Sequence, residues 1–178
     1  RMPAALWFQT YRHDGANEND WHINIIDEIL HVPNLKISDL ADLIQRKKYR
    51  IQQVFGDPAG YQVQSSVGVG ESELFYQATG LRVWSLRDKP SRSIASGVSH
   101  VRGYIKSADG TRRLHINNNC VGLIEDLESY RYPERNDGQP LKDSPLKDGY
   151  SEHGADCLRY GVINRFPIRK YKYRTAKR

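Results

Sequence analysis

Three residues of this chain have the types and placement to do chemistry together: Asp57, His153 and Asp156. His153 and Asp156 stand in Ser151-Glu152-His153-Gly154-Ala155-Asp156-Cys157-Leu158-Arg159-Tyr160-Gly161. At 3.6 residues per turn, a spacing of three puts both on one face of a helix. A His and an Asp pointing the same way near a helix start can hold a divalent cation, or can simply cap the helix and pair. Asp57 stands in Gly56-Asp57-Pro58-Ala59-Gly60. Pro58 biases it toward extended backbone, and the flanking glycines permit tight geometry or the close approach of a ligand. The plainer reading of Asp-Pro is an ordinary strand-to-loop turn.

The two segments say more jointly than singly. Nucleases that use two metals need carboxylates converging from strand ends and a helix, so that cations about 3.5–4 Å apart clamp the scissile phosphate. Carboxylate oxygen with an occasional imidazole suits Mg²⁺ or Mn²⁺ better than a soft metal. An Asp at a strand end with a His and an Asp on a late helix fits that plan.

The elements that must position these residues can be read from periodicity. Pro3 to Tyr11 is apolar and aromatic and predicts a strand, and Asp14-Gly15 and Asn17 predict a turn. Trp21 to Leu30, rich in isoleucine, predicts a second strand antiparallel to the first. Ser38 is the expected N-cap of a helix to about Lys48. Ile51 to Phe55 reads as a short strand ending on Gly56-Asp57-Pro58, placing Asp57 at the carboxyl end of a central strand, where ligands bind in open α/β sheets. Glu71 to Ala78 predicts a helix closed by Gly80, followed by a short strand at Val83-Trp84. Ser93 to Ile105 predicts a helix, Asp109-Gly110 a turn, and Leu114 to Ile116 a strand. Asn119 is the expected cap of a helix through Tyr130. Pro133 to Tyr150 has loop composition, and a last helix runs from about Glu152 to Asn164. The order predicts a mixed α/β sheet, an antiparallel hairpin first and parallel additions after it.

At 178 residues with 38% apolar content, one domain with its own core is expected. Lys and Arg number 27 against 21 Asp and Glu, a surplus of +6 compatible with a polyanionic partner. Arg165, Arg169, Lys170, Lys172, Arg174, Lys177 and Arg178 crowd the end, so a domain over residues 1–166 and a basic tail over 167–178 are expected. Cys120 and Cys157 match neither a disulfide framework nor zinc spacing and read as buried free thiols. With no signal peptide and no run of 18 apolar residues, a soluble intracellular chain is expected. There is no Gly-x-x-x-x-Gly-Lys-Ser/Thr phosphate loop, so no ATPase is sought here.

Three segments then come in a familiar order: Gly56 to Gly60; Cys120 to Tyr132 with Leu-Ile-Glu-Asp-Leu-Glu-Ser-Tyr-Arg-Tyr; and His153 to Tyr160. Together they make the chain resemble the C-terminal nuclease domain of a tailed-bacteriophage terminase large subunit, over essentially its whole length. The resemblance implies an RNase H-like fold and a hydrolase, an endonuclease that cuts concatemeric double-stranded DNA during genome packaging with Mg²⁺ or Mn²⁺ at a two-metal site. It implies Asp57, His153 and Asp156 as catalytic, metal-binding residues, Asp57 matching the family's second acidic position. The family's first catalytic Asp lies in an Asp-x-Gly-like turn before the first apolar run. It is expected upstream of Arg1, with the first strand truncated at its N-terminus. Further implied are the terminase ATPase domain, small terminase subunit and portal as partners, no membrane, and the host cell cytoplasm rather than the mature virion. DNA-binding candidates are Lys147, Arg159, Arg169, Lys170 and Lys172; for Arg159 a structural role stands beside the phosphate-facing one. Two alternatives remain: a DNA- or portal-binding module without catalysis, and another RNase H-like nuclease, a junction resolvase or transposase.

Overall fold

The computed structural model describes residues 3–17, 20–63, 68–86, 93–133, 145, 149–150 and 152–168. The first strand, β1 (Ala5–Tyr11), pairs antiparallel with β2 (His22–Ile29), as the alternation of apolar residues predicts. Helix α1 (Ile37–Arg46) follows, then β3 (Val54–Phe55), a 3-10 turn (Pro58–Tyr61), α2 (Glu71–Thr79) and β4 (Val83–Trp84). Helix α3 (Ile94–Ile105), β5 (Leu114–Ile116), α4 (Val121–Ser129) and α5 (Glu152–Arg165) complete the order.

Among the described residues the strands form two sheets. One is mixed, in the order β1-β2-β5, with β5 parallel to β2; the other is the parallel pair β3-β4. Asp57 therefore follows a strand of the smaller sheet, not a central strand of one continuous sheet as expected. The outer edges of β1 and β3 instead face a cleft lined by Leu6, Phe8, Arg50, Val54 and Asp57, with Leu158 and Val162 of α5 behind. Phe8 and Phe55 stack across it, ring centroids 6.1 Å apart.

A bulge in the hairpin decides what each side of the sheet carries. The register passes from Trp7–Asp27 to Phe8–Ile25, leaving Ile26 as an additional residue on β2. Beyond it the alternation changes sides. Ile23 and Ile25 pack with Val101, Leu114, Cys120, Leu123, Leu158 and Val162 beneath α3, α4 and α5. Ile29 packs with Leu40, Ala41, Ile44 and Phe75 beneath α1 and α2.

Two helix starts differ from expectation. The N-cap of α1 is Lys36, whose backbone N–H donates to Asp39 Oδ2 (3.0 Å), while Ser38 lies inside the helix. The N-cap of α4 is Cys120; Asn119 donates its side-chain amide to Ile26 O (3.0 Å) instead. At α1 a local bond to Asp39 takes the role expected of Ser38, whereas at α4 a distant bond takes the Asn119 side chain away from the cap. Ser93 caps α3 through Oγ, and Gly80 ends α2 in the left-handed conformation at φ 72°, the latter as the sequence predicts.

Candidate active site

Asp57 stands between β3 and the 3-10 turn, held by its own loop. Its backbone is extended, and its Oδ1 accepts the Ala59 N–H at 2.8 Å. Pro58 at the first position of the turn has no N–H to leave unpaired. The strand end is tied to α5: Ser85 Oγ donates to Gly56 O (2.7 Å), Asn164 Nδ2 approaches the same carbonyl (3.5 Å), and Leu86 N donates to Asn164 Oδ1 (2.6 Å).

Helix α5 carries the other two candidates. It buries Gly154, Ala155, Leu158, Arg159, Val162 and Ile163, a stripe at helical spacing. Asp156 sits beside that stripe, 28% exposed at its side chain. Its Oδ1 accepts both Arg159 Nε (3.1 Å) and Nη2 (2.9 Å). Neither Asp57 Oδ2 nor Asp156 Oδ2 has a hydrogen-bond partner among the described residues. Each carboxylate is thus fixed by one oxygen and presents the other.

Tyr160 stands one helical turn, about 6 Å, beyond Asp156 on α5. Burial pushes the Tyr160 phenol up; Arg159 pulls it back, and the charges of Asp57 and Asp156 both add to the rise. Burial also pushes Tyr130 up to about 12, with Asp156 contributing. His153 stands a turn before Asp156 on the same helix, its backbone N–H donating to Tyr150 O (3.4 Å). Among the described residues no group of three or more His, Cys, Asp and Glu side chains is disposed to hold a metal ion. Asp57 and Asp156 are linked through α5, whose Asn164 bonds the strand end that Asp57 follows and the Leu86 N–H beside it.

Of the DNA-binding candidates, Lys147, Arg169, Lys170 and Lys172 lie outside the described residues. The side chain of Arg159 is 3% exposed, stacks over the Tyr160 ring at 4.2 Å and spends two donors on Asp156. Of its two expected roles, this enclosure favours the structural one. Glu152 accepts the Gly149 N–H at 2.8 Å, ordering the entry to α5.

Sequence reasoning missed Glu28, His31 and Asp126. Glu28 accepts the Gly122 N–H (2.8 Å) and the Leu123 N–H (2.9 Å), occupying the start of α4 from across the fold. Asp126 is 1% exposed and touches both His31 and α5. One signal was present: an acid three residues after Leu123, on the face of α4 that the apolar pattern assigns to the core.

A mixed sheet opened by an antiparallel hairpin and joined by one parallel strand, with a smaller parallel pair beside it and, among the described residues, five flanking helices, is an RNase H-like α/β fold. No protein-family profile and no curated protein sequence matches the chain. Among solved structures it is similar to the crystal structure of the g2p (large terminase) nuclease domain from bacteriophage SPP1 with bound Mn. The TM-score is 0.62 at 14% identity, covering 91% of this chain and 78% of that one. At that identity the likeness is one of fold: the fold is that of a large-terminase nuclease domain.

Proposed function

We propose that the chain is a divalent-metal-dependent endonuclease domain of the terminase type, cutting concatemeric double-stranded DNA during viral genome packaging. The observation that carries this reading is the pair Asp57 and Asp156. Two carboxylates from distant parts of the chain stand on elements that Asn164 ties together, each pinned through one oxygen with the other unpartnered among the described residues, on a fold shared with an Mn-bearing nuclease domain.

Hard cations take six or more oxygen ligands, and the donor set fits Mg²⁺ or Mn²⁺. Asp57 and Asp156 would hold the metals, and His153 would ligate one or assist proton transfer. Bound there, the cations would lower the pKa of water and neutralise charge on the phosphate. The protein's own part is to hold the two carboxylates. The Ala59 N–H fixes one, and the Arg159 guanidinium fixes the other in a fork that no lysine reproduces.

A further carboxylate is needed for a two-metal site, and the cleft between β1 and β3 suits an extended segment that carries it. Both edges are unpaired among the described residues, and apolar side chains back the gap. Acting in the host cytoplasm, such a domain would work with a terminase ATPase domain, small subunit and portal. Lys147, Arg169, Lys170 and Lys172 would contribute phosphate contacts.

The test is plasmid cleavage with Mn²⁺ or Mg²⁺ by the purified protein, with and without chelator. Asp57→Ala and Asp156→Ala are each expected to remove cleavage while leaving the circular dichroism spectrum unchanged. Retention of full cleavage by either variant would sink the assignment.

A further inference from the structure

Asp126 is the one fully buried acid among the described residues. It stands on α4 with its carboxylate aimed at the first turn of α5. The Gly154 N–H donates to its Oδ2 at 2.8 Å. Gly154 is the third residue of α5, so this N–H is one of the four that a helix start leaves without an internal partner. A carboxylate there also meets the positive end of the helix dipole. Its other oxygen, Oδ1, lies 2.9 Å from His31 Nε2. That ring stacks on Tyr150 at 4.0 Å between centroids, from a residue held at φ 56°, a strained conformation for a side-chain-bearing residue.

The contact has no slack. A Cβ at Gly154 would overlap Asp126 Oδ2 and stand 3.0 Å from Leu30 Cδ1. Gly154 is therefore a position where α5 packs against α4 with no room for a side chain, and its neighbours in sequence are His153 on one side and, two residues on, Asp156. The support reaches further back. Glu28 of β2 accepts the two first-turn N–H groups of α4, and Asp126 of α4 then accepts the first-turn N–H of α5. Two buried or half-buried carboxylates thus connect the central strand to the helix bearing the candidate ligands, each by capping the next element from outside it.

We propose that Asp126 is a positioning residue for the metal site, setting the rotation and height of the first turn of α5 and through it the direction of His153 and Asp156. This rests on the nuclease reading for what is positioned, but not for the anchoring itself. Burial pushes the Asp126 carboxyl up, while the Gly154 N–H and then His31 pull it back. An acid kept in so unfavourable a place, with those partners, is held there by what it connects. Support of this kind behind a metal ligand commonly changes metal affinity by about 10–100-fold when removed.

Two measurements on the purified protein test it: Mn²⁺ affinity by calorimetry, and amide exchange across α5. Asp126→Ala is expected to weaken Mn²⁺ binding at least about tenfold and to speed exchange at residues 153–156 ahead of the rest of the helix. Asp126→Asn, whose amide oxygen still accepts from Gly154, should recover most of both. Gly154→Ala, which keeps the acid and displaces the turn, should reproduce the Asp126→Ala result. Leu40→Ala, in the separate core beneath α1 and α2, serves as the destabilised control and should leave Mn²⁺ affinity within about threefold of the unaltered chain. Unchanged exchange at 153–156 in Asp126→Ala would overturn the proposal, and so would an equal loss of Mn²⁺ affinity in Leu40→Ala. Should the unaltered protein bind no Mn²⁺, the nuclease reading fails, and exchange at 153–156 still decides whether Asp126 holds the turn.

Discussion

Arg159 shows how one side chain can set the state of a site it does not enter. It uses Nε and Nη2 on a single oxygen of Asp156, lies against the Tyr160 ring, and packs its methylenes on Gly97, where a Cβ would come within 2.7 Å of its Cδ. Its remaining nitrogen, Nη1, is buried with no hydrogen-bond partner among the described residues, so the geometry is held by packing and by the Asp156 bonds together. Breaking a fully buried ion pair by removing one partner costs about 3–5 kcal/mol. Asp156 keeps some solvent, so Arg159→Met is expected to cost about 2 kcal/mol in urea unfolding, less than that range. Arg159→Lys cannot reproduce the fork. It is expected to retain the fold and lose Mn²⁺-dependent cleavage, read by the same plasmid assay. Sequence spacing showed that Asp156 and Arg159 could pair, three apart on a helix; it could not show that the pair is enclosed.

Elements were legible where their signals are local, and misread where a distant bond intervened. The Gly80 terminus depends on backbone within a few residues and stands as predicted. Asn119 has the chemistry of a cap, but the first N–H groups of α4 are taken by Glu28, far away in sequence, which frees Asn119 for Ile26. The turn between α3 and β5 belongs with the local cases. Asp109 accepts from Ser107 Oγ and from the Thr111 N–H, and these bonds hold its carboxyl at about 2, below its ordinary value of 3.8. A carboxyl whose pKa is depressed by folding adds stability above its unfolded value and loses it as pH falls through the folded one. Asp109→Asn is therefore expected to lower stability at neutral pH and to converge with the unaltered chain as pH falls from about 4 to about 2. Paired thermal melts across that range, with a carboxyl titration of Asp109 by NMR, check it.

The molecule as a whole is two apolar clusters separated by the hairpin, and the Ile26 bulge apportions residues between them. Past the bulge, Asp27 turns toward α1, where Lys47 (2.8 Å) and Tyr49 (3.1 Å) meet it, and Glu28 turns toward α4. The cluster beneath α3, α4 and α5 carries the candidate site, so its packing should govern the site. Leu123→Ala, at a fully buried position touching strand and helix, is expected to cost about 2–5 kcal/mol. Loss of cleavage should follow loss of folded protein in denaturant titration.

Composition, periodicity and the order of three segments sufficed for the fold class, for nearly every strand and helix, and for Asp57, His153 and Asp156 as the residues to watch. Those features are carried by near neighbours in the chain, through turn chemistry, capping and the repeat of apolar positions. The break between β1 and β3, the burial of Arg159 and the carboxylate connections through Glu28 and Asp126 came from coordinates. Each depends on which surfaces meet after collapse, and one additional residue in β2, invisible to any pattern of alternation, reverses the direction of every side chain beyond it.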